Sequence, residues 1–146
     1  MKKWLLVIGG SLAVAGLNAA ELNWLTSLPD AKAKAKTENK LVFAEFTGSD
    51  WCPPCKKLHS EVLTSEAFAK YASDKFVLVE LDFPRRKEQS EELKSANKAL
   101  AKEFEIRGYP TVVVLDADGK ELHRKVGYGG QSADDYIANL EEGIGK

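Results

Sequence analysis

The two cysteines of the sequence, Cys52 and Cys55, are separated by two prolines. A pair at this spacing can form and break a disulfide when it lies where a strand gives way to a helix. The bridge would close a very short loop, so it would remove little entropy from the unfolded chain. Reactivity therefore explains this pair better than structural cross-linking does.

Metal binding is the alternative chemistry for the same cysteines. Together with His59 and His123 they could supply four zinc ligands, but their spacing matches no common zinc pattern. Cu(I) favours soft ligands of this kind, although Met1 is the only methionine and no methionine cluster accompanies the pair. Lys56 stands where c-type haem attachment requires histidine. We therefore expect no metal and no other cofactor, and Cu(I) binding is kept as an alternative from a different functional class.

The composition is that of one globular domain. The chain has 146 residues, of which 44% are hydrophobic and 29% are charged, and this is enough for one domain with a core. The formal net charge is -1, and basic and acidic residues are interspersed along the chain. This pattern does not favour a nucleic-acid surface. No pattern of an oligomer interface is evident either, so we expect a monomer.

The N-terminal segment differs from the rest of the chain. Lys2 and Lys3 precede a charge-free apolar stretch, residues 4–17, and small residues follow where a signal peptidase would cut. We expect a signal peptide over residues 1–19 and a mature domain over residues 20–146. The apolar stretch is shorter than the roughly 20 residues of a membrane span, and an uncleaved anchor is the alternative. A cleaved leader predicts a periplasmic or secreted protein.

Apolar runs and helical patterns predict the elements that position the cysteine pair. Residues 41–46, 76–81 and 111–115 are short runs rich in valine, leucine and phenylalanine, which is typical of buried strands. Asp118-Gly119 predicts a hairpin that returns the chain through residues 121–126. Helical patterns alternate with the strands, which indicates parallel crossovers and an antiparallel edge. The predicted fold is an α/β/α sandwich around a central mixed sheet of four main strands.

Two segments of this pattern resemble the thioredoxin superfamily. One is Trp51-Cys52-Pro53-Pro54-Cys55 after an apolar strand, and the other is Gly108-Tyr109-Pro110-Thr111 at the start of the next-to-last strand. The flanking residues 46–51 and 82–85 resemble its exported bacterial thioredoxin-like branch. The resemblance implies a thioredoxin-like fold and a thiol–disulfide oxidoreductase that acts on disulfide-containing client proteins. It also implies a membrane thiol:disulfide interchange protein as the electron donor.

The spacing assigns different roles to the two cysteines. Cys52 is expected at the N-terminus of a helix, where free amides and the helix dipole favour the thiolate, and it would be the nucleophile. Cys55 lies one turn further on and would resolve the mixed disulfide. Pro53 and Pro54 lack N–H groups that could donate to the Cys52 sulfur, so we expect a thiolate less stabilised than in a strong oxidant. The pair is therefore expected to act as a reductant, with an oxidase or isomerase as the alternative.

Glu45 is the acidic residue inside the apolar run before the cysteines. A buried carboxylate is costly and tends to stay protonated near neutral pH. In the family that the chain resembles, a buried acid below the active site relays the proton of the resolving cysteine. Glu45 would take this role here, unless the strand lies at an edge and the side chain points to water.

Three further residues are expected to contact the substrate beside Pro53 and Pro54. Pro110 resembles the cis-proline that faces the disulfide in the family, and it would let the Tyr109 backbone pair with an extended client segment. Tyr109 is larger than the residue usual at this position, which would narrow the groove. Trp51 would line the surface of the active site.

Overall fold

The computed structural model describes residues 22–145 of the chain. The predicted leader, residues 1–19, lies outside the described residues, and so does the position at which it would be cleaved. Between residues 22 and 145, no helix is both long enough and apolar enough to cross a membrane.

One mixed sheet of five strands runs through the part of the chain that the structure describes. Its strands are β1 (Trp24–Leu25), β2 (Leu41–Thr47), β3 (Phe76–Asp82), β4 (Thr111–Leu115) and β5 (Glu121–Val126). Their spatial order is β1-β3-β2-β4-β5. β3 pairs in parallel with β1 and with β2, whereas β4 runs antiparallel to β2 and to β5.

The layers and the mixed sheet confirm the predicted α/β/α sandwich, but the expected number of four strands is wrong. The additional strand, β1, has two residues, and both are half-buried. So short an element shows no alternation of polar and apolar residues from which a strand could be predicted. It is recognised by its parallel pairing with Leu78 and Val79 of β3.

Helices cover both faces of the sheet. Over residues 22–145 the α-helices are α1 (Leu28–Glu38), α2 (Pro53–Leu58), α3 (Glu66–Lys75), α4 (Glu91–Glu103) and α5 (Ala133–Ile144). A π-helical turn, His59–Leu63, continues α2 toward α3. Serine hydroxyls at the N-caps of α1, α3, α4 and α5 accept a backbone N–H from the first turn. α1 and α4 pack on one face, and α2, α3 and α5 pack on the other.

The central strand β2 leads into the cysteine pair. All of its residues except the first are buried, because helices cover both faces of the sheet. Phe43 anchors the strand against Phe68 of α3, with ring centroids 5.4 Å apart. β2 and β3 are parallel and in register up to Thr47 and Asp82. The loop that follows each strand therefore lies at the same edge of the sheet, and this edge carries the site.

Candidate active site

The cysteine pair forms the start of α2. Cys52 is the N-cap residue, and Pro53 and Pro54 occupy the first helical positions. The two sulfurs are joined in a disulfide. The exposed fractions of Cys52 and Cys55 are 3% and 1%, so both cysteines are buried to nearly the same extent. The disulfide is therefore almost completely covered.

The two prolines decide which amides can stabilise the Cys52 sulfur. At the N-cap of a helix, a side chain accepts from the N–H of the second or third helical residue. The second position is Pro54, which has no N–H, and the third is Cys55, whose amide nitrogen lies 3.4 Å from the Cys52 sulfur. The sulfur therefore keeps the donor from Cys55 and lacks the donor that another residue at position 54 would supply.

The turn before β4 lies directly opposite the cysteine pair. The Tyr109–Pro110 peptide bond is cis. The Tyr109 carbonyl oxygen lies 3.6 Å from the Cys52 sulfur. Pro110 is buried, and the ring of Tyr109 packs edge-on against Trp51, with centroids 5.8 Å apart. The structure thus brings Trp51, Tyr109 and Pro110 together around Cys52.

Trp51 is half-buried and is held from several sides. Its indole Nε1–H donates to the Phe83 carbonyl oxygen at 2.6 Å. The guanidinium of Arg85 lies over its ring, 3.8 Å from the centroid. Gly48 lies behind the ring, and a Cβ at this position would lie 2.4 Å from the indole. These contacts hold the Trp51 ring in one orientation beside the disulfide.

Glu45 points into the protein beneath the cysteines, which confirms its predicted burial. Its exposed fraction is 3%. Burial, and after it the nearby carboxylates of Glu80 and Asp82, raise the pKa of its carboxyl group from 4.5 to about 8. At neutral pH the Glu45 side chain is therefore mostly protonated.

Glu80 is a functional candidate that sequence reasoning missed. It is the register partner of Glu45 on the parallel neighbour β3, so the two side chains share one face of the sheet. Burial and Asp82 raise its pKa, while Lys87 and His59 act in the opposite direction. A signal was present in the sequence, because Glu80 interrupts the second apolar run at the same position at which Glu45 interrupts the first.

A cleft of about 280 Å³ connects these carboxylates with the cysteine pair. It is lined by Glu45, Thr47, Ser49, Cys55, Lys56, His59, Glu80 and Lys87. The lining thus brings Cys55, the buried Glu45 and exposed basic side chains together in one space.

A second feature that sequence reasoning missed is the loop after β3. The carboxylate of Asp50 accepts the backbone N–H groups of Arg85, Arg86 and Lys87 at 3.0, 2.8 and 2.8 Å. These bonds, with that of Arg85 the largest contribution, lower the pKa of Asp50 to about 2. The loop that carries three basic side chains is thereby tied to the residue just before Trp51.

The two histidines lie in different elements of the fold. His59 is exposed at the start of the π-helical turn, and His123 lies in the edge strand β5. Among residues 22–145, no group of three or more His, Cys, Asp or Glu side chains could hold a metal ion.

Comparison with known proteins agrees with this geometry. A curated relative from Chlamydia pneumoniae, "Disulfide bond reductase DsbH", is 35% identical over 128 residues, which are 86% of this chain and 75% of the relative. From the same organism, "Thioredoxin-related protein DsbJ" is 31% identical over 141 residues, 90% of this chain and 40% of the relative. A solved structure titled "DsbH Oxidoreductase" superposes with a TM-score of 0.79 at 30% identity, covering 88% of this chain and 89% of that one.

These relatives and the cysteine pair at the start of α2 identify thiol–disulfide exchange as the chemistry of the site. The sequence model of the family described as "Thioredoxin-like domain" matches residues 28–144, almost the whole of the described chain. The protein is a thiol–disulfide oxidoreductase that belongs to the thioredoxin-like family.

Proposed function

We propose that this protein is an exported reductant that transfers electrons to the disulfides of client proteins. The observation that carries the proposal is the N-cap position of Cys52, with proline at the two helical positions that follow it. A thiolate that lacks amide donors is less stabilised, and its disulfide is correspondingly less oxidising. The relative named a disulfide bond reductase supports the same direction of electron flow.

In the proposed reaction the reduced protein attacks with Cys52. Its thiolate forms a mixed disulfide with one client sulfur, and the other client sulfur leaves as a thiolate. Cys55 then loses its proton and attacks the Cys52 sulfur, which releases the first client sulfur and closes the Cys52–Cys55 disulfide. The two released client thiolates take up two protons. The client has gained two electrons, which the protein has lost.

The ionised form of Glu45, whose fraction rises toward pH 8, is the proposed proton acceptor for Cys55. Both residues line the same cleft, and the pKa of the Glu45 carboxyl group is raised to about 8. A free cysteine has a pKa of about 8.5, so a proton can move between the two groups at little cost. The same cleft would pass the proton on to solvent.

Binding of the client would use the turn before β4. The Tyr109 backbone lies opposite Cys52, and an extended client segment could pair with it while Trp51 and Pro110 contact its side chains. A membrane thiol:disulfide interchange protein would regenerate the dithiol form. Export would follow from the predicted leader, which places the mature domain in the periplasm or outside the cell.

Two measurements test this proposal. The wild-type protein should accelerate the reduction of insulin by dithiothreitol, and Cys52→Ser should abolish the acceleration. The reduction potential of the Cys52–Cys55 couple should lie near the value of about −270 mV typical of thioredoxin, rather than near the about −120 mV of a strong oxidant. A potential near the second value would establish the oxidase alternative, and activity that survives in Cys52→Ser would contradict redox catalysis by this pair.

A further inference from the structure

A group of cationic side chains lies beside the disulfide, and the exchange reaction does not use it. We call this group the basic rim. All of its members are exposed, and they belong to α2 and to the loop after β3: Lys56, Lys57, Arg85, Arg86 and Lys87.

The rim is held in place by groups of the site itself. Asp50 binds the backbone of all three loop residues, so the loop has a defined path next to Trp51. Arg85 is stacked on the Trp51 ring, which fixes the plane of its guanidinium. Side chains positioned in advance lose less entropy when a ligand binds them.

Part of the charge of the rim is not neutralised within the protein. Lys87 forms an ion pair with Asp82, with the two atoms 3.4 Å apart. The other four members form no ion pair with a residue in the range 22–145. Asp50, Asp82 and the exposed Glu88 are three carboxylates against the five cations of the rim, so a positive excess of two charges remains. This excess is local, because the formal net charge of the whole chain is -1.

The rim borders both cysteines. Arg85 lies on Trp51, the residue before Cys52. Lys56 and Lys87 line the cleft that reaches Cys55. A polypeptide segment that presents a disulfide to Cys52 must therefore place its neighbouring residues close to these cations.

We propose that the basic rim selects client disulfides whose cysteines are flanked by aspartate or glutamate. The inference rests on the proposed function, and it names the class of client segment that this site prefers. Positive charge at a binding surface speeds the approach of negative partners and slows that of positive ones. The effect is a preference in rate, and it is screened by salt.

The test uses three disulfide-linked peptides of equal length whose cysteines are flanked by glutamate, serine or lysine. The second-order rate of their reduction by the dithiol protein is measured by stopped flow at low ionic strength and in about 0.5 M NaCl. We expect the glutamate peptide to react roughly ten times faster than the lysine peptide at low salt, with most of this ratio lost at high salt.

The variant Lys57→Glu/Arg86→Glu reverses two charges of the rim without touching Asp50, Trp51 or the cysteines. Its ratio of glutamate to lysine rates should fall to one or below. The matched control is Lys98→Glu/Lys102→Glu, which makes the same charge change on α4, across the sheet from α2. The control should keep the wild-type ratio, and circular dichroism and melting temperature report whether each variant is folded.

The outcomes separate the two proposals. Equal rates for all three peptides, or a ratio that Lys57→Glu/Arg86→Glu leaves unchanged, would overturn the role of the rim while reduction itself stands. A ratio that falls equally in the α4 control would also overturn it, because net charge would then be sufficient. Failure of the wild-type protein to reduce even the serine peptide would contradict the proposed function instead.

Discussion

The carboxyl groups of the cleft, Glu45 and Glu80, and the basic rim beside the disulfide differ in more than the sign of their charges. Both lie where β2 and β3 end, and both are built from side chains that titrate or carry charge. The carboxyl group of Glu45 is buried, and its pKa is raised to about 8, whereas the rim side chains are exposed to water. Burial, and not the sign of the charge, decides what each region can do.

The difference has a physical origin in hydration. A charge that water can reach interacts weakly with its neighbours, and salt screens the interaction further. A carboxylate removed from water is costly, and it responds by holding its proton. The cleft is therefore suited to the proposed proton transfer during exchange. The rim is suited to the proposed preference for client segments of negative charge.

The largest expected effect comes from Glu45→Gln, which removes the ionisable group but keeps the size of the side chain. In the folded protein Glu45 keeps its proton up to a pH of about 8, whereas in the unfolded chain it ionises near 4.5. Between these values the unfolded state binds fewer protons, so wild-type stability falls as pH rises, by about 3 kcal/mol at pH 7. Glu45→Gln should therefore be more stable than wild type by about this amount at pH 7, and equally stable near pH 4.

Urea denaturation of both proteins at pH 4 and pH 7 measures this difference. The control is Glu88→Gln, which makes the same chemical change at an exposed residue. Glu45→Gln should also slow the release of a client from the mixed disulfide and remove the rise in this rate toward pH 8. The groups that face Glu45, which are Glu80, Asp82 and Tyr136, are present in both proteins. A Glu45→Gln protein with wild-type stability at pH 7 and an unchanged pH profile would contradict both the raised pKa of Glu45 and its role in proton transfer.

The sequence was sufficient to predict the cysteine pair and the sandwich, and it favoured burial of Glu45 over a position that faces water. Each of these depends on a local pattern, such as the residues around the two cysteines or an apolar run before a helix. The pairing of Glu45 with Glu80 depends on the register of two strands, and the bonds from Asp50 join residues 35 or more positions apart. Neither follows from residues that are neighbours in the sequence, so both required the structure.

A smaller effect, a loss of stability, is expected for a substitution of Gly48, which lies against the Trp51 ring on which Arg85 of the rim rests. The Cβ of alanine would lie 2.4 Å from the rigid indole, so the ring or the backbone must move. We expect Gly48→Ala to cost about 1–3 kcal/mol in the free energy of unfolding, as overpacking usually does. The indole N–H resonance of Trp51 should also shift, because its hydrogen bond to Phe83 would be disturbed.

The control for Gly48→Ala is Gly129→Ala, where the added Cβ would make ordinary contacts of 3.7 Å or more. If Gly48→Ala leaves stability and the indole resonance as they are in wild type, the Trp51 ring is not held in one position by its contact with Gly48. The preference of the rim for acidic peptides should weaken in the same variant, because Arg85 rests on the ring that moves.

The smallest effect is expected for Glu80→Gln, and it tests the comparison most directly. Burial is the largest cause of the raised pKa of Glu45, and the charge of Glu80 comes after it. Removing that charge should lower the pKa of Glu45 only in part, so the group should still titrate well above 4.5. A titration of the Glu45 carboxyl carbon by NMR, in wild type and in the variant, measures the shift. If the pKa of Glu45 instead fell to its ordinary value, the charge of Glu80 and not burial would be the main cause of the raised pKa. The difference in burial would then not explain why the acids of the cleft and the cations of the rim behave differently.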